Sequence, residues 1–276
     1  MFYNSNLKNI MARVIVITSG KGGVGKTTVT SNLGMALARL KYQVLLIDAD
    51  VGLRNLDLLL GLESRIIYTG LDILAGTCRL EQTLIQDKRE SNLTFFPLSS
   101  NQGKFSVTKE QIQNFIDTLK NKYDYILIDS PAGIDSSFQT AIQAAQEAIV
   151  VVTPEVTSIR DADKVIGLLE ARGIKSNYLL VNRIKPDMVK AENMMSLDDV
   201  RDILGLPIIG VIPDSEQVII ASNRGEPLIL DEKVSIPAIA FKNTAKRLLG
   251  ENVELLNLEQ MKPSNIVTRL FRRFSK

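Results

Sequence analysis

A chain of 276 residues that is 45% hydrophobic carries enough apolar material to close a full core and reads most simply as one domain. Its 33 basic and 31 acidic side chains leave a net charge of +2, too little to draw nucleic acid by bulk electrostatics. With no histidine and one cysteine, Cys78, the sequence excludes Ser-His-Asp and Cys-His catalysis and an intrachain disulfide, and argues against a cysteine-ligated metal cluster, so proton and phosphate chemistry falls to Asp, Lys and a bound cation.

Residues 1–10 have neither the apolar core of a signal peptide nor the Arg/Ser-rich composition of a transit peptide, and read as a disordered extension before Met11. No run approaches the ~20 apolar residues of a membrane-spanning helix, so a soluble chain is expected. Cys78 reads as a small buried apolar residue.

An apolar, β-rich run over 12–19 leads into Gly20-Lys21-Gly22-Gly23-Val24-Gly25-Lys26-Thr27-Thr28, and a helical pattern follows over 27–40. The spacing fits G-x-x-x-x-G-K-[ST], and strand, loop and helix stand in the order that a phosphate-binding loop requires. Its four glycines allow the backbone to curl around a polyphosphate, with N–H groups and the helix dipole aimed at it. Lys26 would neutralise the β and γ phosphates, and the Thr27 hydroxyl would ligate Mg²⁺. Lys21 is a second lysine that this chemistry does not require. It is either a solvated loop charge or a cation that reaches a nucleotide on a second copy of the chain.

A strand over 44–48 ends at Asp48, with Asp50 two residues on. Alternation past the strand would aim both acids at the phosphates. In the absence of histidine, Asp50 is the candidate to orient or deprotonate water and Asp48 to support the Mg²⁺ shell, whereas helix capping would account for one of them but not both. Further strands are predicted over 93–98, 125–129, 148–153, 178–182 and 208–212, with helices over 109–122, 159–172 and 236–249 and a capping box at Ser196 and Asp199. Asp129 closes the strand 125–129 as a Walker B carboxylate for Mg²⁺, with a helix N-cap as the alternative reading. The alternation implies an α/β P-loop NTPase with a mostly parallel central sheet and helices on both faces. Ser19, Asp48, Asp129, Asn182 and Pro213 should then face one crevice at the carboxyl ends of the strands.

The expected divisions are the extension 1–10, an ATPase domain over 11–250, a linker over 251–263 and a tail over 264–276. On a helix, the tail's Ile266, Val267, Leu270, Phe271 and Phe274 span about 140°, with Arg269, Arg272, Arg273 and Lys276 opposite. A docking helix and a nucleic-acid arm compete with an anionic membrane anchor, and the combination of cations with an aligned apolar stripe favours the membrane.

Lys21-Gly22-Gly23-Val24-Gly25-Lys26-Thr27 resembles the deviant Walker A motif of the ParA/MinD ATPases, and the segment from Asp48 to Asp57 resembles switch I of the MinD branch. The resemblance spans nearly all of 11–250. It implies that Lys21 crosses a nucleotide-sandwich homodimer and that Asp50, rather than Asp48, serves hydrolysis. It also points to Asn182 on an adenine edge and Pro213 on its ring, although ordinary strand-end roles explain both equally well. The function it implies is an ATP- and Mg²⁺-dependent switch that hydrolyses ATP, attaches to a membrane, recruits a MinC-like division inhibitor and is released by a MinE-like activator. The wording of 48–68 looks closer to cyanobacterial and plastid members than to enterobacterial ones, which implies a plastid or, alternatively, a bacterial cytoplasmic setting. The rivals are a ParA-type DNA partition ATPase, an iron–sulfur carrier on the same fold and a non-enzymatic membrane adaptor. The first is disfavoured because removing the tail's four cations takes the body from +2 to about −2. The second is disfavoured by the single cysteine, and the third has no need for three acids around a phosphate loop.

Overall fold

The computed structural model describes residues 11–50, 54–98, 107–231 and 235–256. The expected extension 1–10 and the tail 264–276, with its candidate membrane residues, lie outside the described residues, as do 51–53 of the switch-like segment.

In chain order the elements are β1 (Arg13–Thr18), α1 (Lys26–Arg39), β2 (Val44–Asp48), α2 (Leu56–Leu60), α3 (Gly70–Leu74), β3 (Ile85–Gln86), β4 (Leu93–Pro97), α4 (Lys109–Leu119) and β5 (Tyr125–Asp129). There follow α5 (Ser136–Ala141), β6 (Glu147–Val152), α6 (Val156–Ala171), β7 (Ser176–Ile184), α7 (Pro186–Lys190), α8 (Leu197–Leu204), β8 (Ile208–Pro213), α9 (Glu216–Asn223) and α10 (Ile236–Leu248). The strands form one eight-stranded sheet in the order β3-β4-β2-β5-β1-β6-β7-β8, parallel throughout except for the antiparallel β3–β4 pair. This is the expected α/β architecture.

The strands are continuous apolar runs because both of their faces are covered. Val14, Val16, Ile126 and Ile128 point into one core layer under α4, α5, α6 and α8. Ile15, Ile17, Tyr125 and Leu127 point into the other, under α1, α2 and α10. Gly34 brings α1 close to β2, for a Cβ there would lie 2.5 Å from Leu46 Cδ2. The register pairs Asp129 with both Ile17 and Asp48, so β1, β2 and β5 end level. The chain moves from β5 to β6 across β1, and the phosphate loop occupies that switch point.

The differences from expectation have local causes. β3 is a two-residue edge strand, and α2, α3, α5 and α7 span only five or six residues, too short to establish a period. The helix expected from 159 begins at Val156, because an exposed Val156 and Thr157 followed by a buried Ser158 break the apolar pattern. Cys78 is partly exposed, correcting the expectation of a buried position: it lies in the loop after α3, where no apolar layer covers it. The first residues of the expected linker are tied down, since Arg247 donates to the Val253 carbonyl at 2.6 Å, the Glu254 carbonyl at 2.7 Å and the Ile209 carbonyl at 2.8 Å.

Candidate nucleotide-binding site

The loop between β1 and α1 is built around two backbone positions that favour glycine, Gly23 at φ 76° and Gly25 at φ 97°. Gly25 also has no room for a Cβ, which would collide with the Asn182 amide nitrogen from the end of β7. That nitrogen donates to the Val24 carbonyl at 2.8 Å and fixes the loop to the sheet. No side chain caps the N-terminus of α1, and no acid occupies its first turn, leaving its amide groups and positive dipole end available to an anion.

Lys26 opens α1 and is buried, with Nζ donating to Ser19 Oγ at 3.1 Å, while that hydroxyl donates to the Lys21 carbonyl at 2.7 Å. Burial lowers the affinity of Lys26 for its proton, opposed by the nearby charges of Asp129 and Asp50. Lys21 points elsewhere. Its ammonium meets Glu155 Oε2 at 3.2 Å and Thr157 Oγ1 at 3.1 Å, in an exposed ion pair at the start of α6.

Asp129 is buried and accepts from Thr30 Oγ1 at 3.0 Å. Burial pushes its carboxyl up to about 6, against the opposing influence of the Thr27 and Thr30 hydroxyls and of Lys26. Asp48 lies beside it and is raised as well, by burial and by Asp129. Its two oxygens accept from the backbone N–H of Asp50 at 3.0 Å and of Leu56 at 3.2 Å. The expectation that Asp48 and Asp50 share a direction is therefore corrected. Asp48 still belongs to β2, whereas Asp50 has left the strand, and alternation stops where the pleat stops.

A cleft of about 480 Å³ runs along the loop and is lined by Lys26, Thr27 and Thr28 together with Asp50, Asn55 and Arg183. Gly22, Gly23 and Gly25 also line it, while Gly20, Lys21, Val24, Asp48, Asp129, Asn182 and Pro213 do not. The expected single crevice is thus layered. Asp48 and Asp129 lie buried below the cleft, Asn182 is turned to the loop backbone, and Pro213 closes β8 away from the cleft. Sequence reading missed Asn55, Arg183 and the α9 residues Ser222 and Asn223 in the lining. Arg183 left a trace as the residue after Asn182 at a strand end, and Asn55 as part of the switch-like segment 48–57; the φ of 57° at Arg183, which is unusual outside glycine, is visible only in the structure.

The donor chemistry suits Mg²⁺. Among the described residues no cluster of three or more His, Cys, Asp or Glu could cage a metal by itself. A hydroxyl and one carboxylate, completed by phosphate oxygens and water, are the hard donors that Mg²⁺ accepts. Thr27 and Asp129 supply such a pair, and the raised proton affinity of Asp129 marks a buried carboxylate that a divalent cation would neutralise. Among the described residues, no helix is long and apolar enough to cross a membrane.

Residues 15–228 match the family described as the CobQ/CobB/MinD/ParA nucleotide binding domain. The chain is 70% identical over 266 residues to a putative septum site-determining protein MinD of Emiliania huxleyi, covering 96% of this chain and 98% of the relative. It is 52% identical over 263 residues to the septum site-determining protein MinD of Synechocystis, covering 95% and 98%. Its fold superposes with a TM-score of 0.83 and 50% identity on MinD in an Aquifex aeolicus MinC:MinD cell division complex, covering 89% of this chain and 99% of that one. The Pyrococcus horikoshii septum site-determining protein MinD complexed with Mg-ADP gives 0.78 and 30%, covering 88% and 100%.

Proposed function

The chain belongs to the MinD family of septum site-determining proteins, within the CobQ/CobB/MinD/ParA nucleotide-binding domain class, and from that premise we propose that it is a Mg²⁺-dependent ATPase whose ATP-bound form pairs with a second copy and holds to a membrane. There it recruits a MinC-like inhibitor and so places the division septum, and a MinE-like partner ends the state by stimulating hydrolysis. Relatives from plastid-bearing algae and from cyanobacteria favour a plastid, with a bacterial cytoplasm and inner membrane as the alternative setting.

The loop amides and the open N-terminus of α1 cradle the β and γ phosphates, and Lys26, already desolvated, adds its charge. Thr27 and Asp129 would hold Mg²⁺, which would supply positive charge to the phosphate oxygens. Asp50 orients the attacking water along the γ-phosphate, and Asp48 fixes Asp50 by accepting its backbone N–H. ADP and phosphate are the products. Adenine is held in the cleft beside Arg183, and Asn182 acts on it through the loop backbone that its amide fixes, whereas Pro213 lies outside the lining.

One observation carries the reading. The loop's two lysines are segregated, Lys26 buried within the cleft and Lys21 outside it on an exposed ion pair. An exposed pair of this kind is worth at most about 1 kcal/mol, so Lys21 is cheaply released to a phosphate on a second copy. Two tails on a dimer then attach where one would dissociate, because the second binds at a high effective concentration. DNA partition is the weaker reading, since the body without the tail's cations carries about −2.

The test is sedimentation with anionic liposomes in ATP, ADP or a non-hydrolysable analogue, comparing the full chain with one ending at Lys262. ATP-dependent, tail-dependent sedimentation is expected; binding that ignores nucleotide or tail would overturn the membrane switch.

A further inference from the structure

A second cavity of about 870 Å³ lies between the start of α6, α7 and the turn into α8, and shares only Arg183 with the nucleotide cleft. Its apolar lining includes Val156, Met188, Met194 and Met195, with Val156 69% and Met188 38% exposed. Exposed apolar side chains clustered in a concavity mark a surface meant to be covered. Methionines adapt to irregular helical ligands. The rim is acidic: Glu155, Glu192, Asp199 and Asp214 outnumber Arg183 and Lys185, and Lys185 is already taken by Asp214 at 3.3 Å. Glu192 makes no ion pair among the described residues.

We infer that this methionine-lined, acid-rimmed groove holds the chain's own tail, residues 264–276, whenever no second copy is bound. The tail has the complementary pattern. Ile266, Leu270 and Phe274 align on one side of a helix, and Arg269, Arg272 and Arg273 flank them with no acid among them. It can also reach. The described chain ends at Leu256, shortly after Arg247 ties it to the Ile209 carbonyl at the start of β8. Asp214, on the groove's rim, follows the end of the same strand, roughly 17 Å farther along. The residues from Leu256 to Ile266 span up to about 33 Å, so the first apolar anchor reaches with slack.

Docking here would make membrane attachment and dimerisation one event. Glu155 is both a wall of the groove and the ion-pair partner of Lys21, so the groove opens beside the lysine that the proposed function assigns to the second copy. A copy seated against Lys21 meets the docked tail, and one must leave. The released stripe is the surface that enters the lipid. This rests on the proposed dimer and membrane tail, and adds where the tail resides before either forms.

The full chain, carrying Cys78→Ser, Asn193→Cys in the groove and Ser275→Cys in the tail, is treated with a short bismaleimide without nucleotide or lipid. An intrachain cross-link is expected. It should fall about fivefold or more with Glu192→Lys and return when Arg273→Glu is added, because one charge pair is broken and then rebuilt. In the otherwise native sequence, Glu192→Lys should also lower the ATP concentration needed for sedimentation with anionic liposomes, because a freed tail no longer opposes pairing. Absence of the intrachain link, a link indifferent to Glu192→Lys, or a link only between chains would overturn the inference, the last because it assigns the groove to a second copy. ATP-dependent sedimentation without the link leaves the membrane switch standing and sinks only the docked tail, whereas a charge-sensitive link in a chain that never sediments supports docking and sinks the membrane switch.

Discussion

Burial holds the Asp129 carboxyl protonated to higher pH than a free carboxylate in the nucleotide-free molecule. Its carboxyl titrates at about 6 when folded and near the usual value of about 4 when unfolded, so between those values the folded chain holds a proton that the unfolded chain has lost. Stability from that proton is complete below about pH 4 and is lost as pH rises through about 6. From this group alone, melts without nucleotide should lose up to about 3 kcal/mol between pH 4 and 7, and Asp129→Asn should flatten that fall while removing Mg²⁺-dependent tightening of ATP. Asp50→Ala, which removes the acid proposed to orient water, should keep binding of a fluorescent ATP analogue yet lower phosphate release about a hundredfold or more. Asn182→Ala separates two roles that its sequence position left equal. The structure puts its amide on the Val24 carbonyl, so its loss should cost about 1–3 kcal/mol and weaken ATP and GTP alike; a loss confined to ATP would assign it to the base instead.

Elements show where local reading succeeds and where it stops. The β1–loop–α1 unit was legible because each of its requirements, an apolar run, glycines at positive φ and a lysine at the helix start, lies within a few consecutive residues. The edge strand β3 was not, because two residues carry no alternation and gain their structure from pairing Ile85 with Phe95 and Gln86 with Thr94. α10 illustrates a middle case. Its apolar period was evident, but its Arg247 is committed to three carbonyls on other segments, one of them on β8. Arg247→Ala should lower stability by about 1–3 kcal/mol in thermal melts and speed proteolysis within 251–256, since that short strap then loses its anchor.

At the scale of the molecule, attachment is expected to depend on salt as well as on ATP. The tail's four cations each contribute about 1 kcal/mol near an anionic surface. Screening shortens from about 10 Å at 0.1 M salt to about 3 Å at 1 M, so liposome sedimentation in ATP should fall steeply across that range. Lys21→Ala should bind ATP through the intact cleft but remain monomeric by light scattering and fail to sediment. Sequence alone determined the fold class, the phosphate loop and the identities of the acids, because short-range pattern, a buried parallel strand and a strand-end carboxylate each leave a local signature. Tertiary structure decided which of those residues share a cavity. It separated Asp48 from Asp50, turned Asn182 onto the loop, brought Arg183 and Asn223 to the cleft, and set Lys21 against Glu155, 134 positions along the chain. Contacts of that kind depend on how strands are ordered and how far each side chain reaches across them, and no local period encodes either.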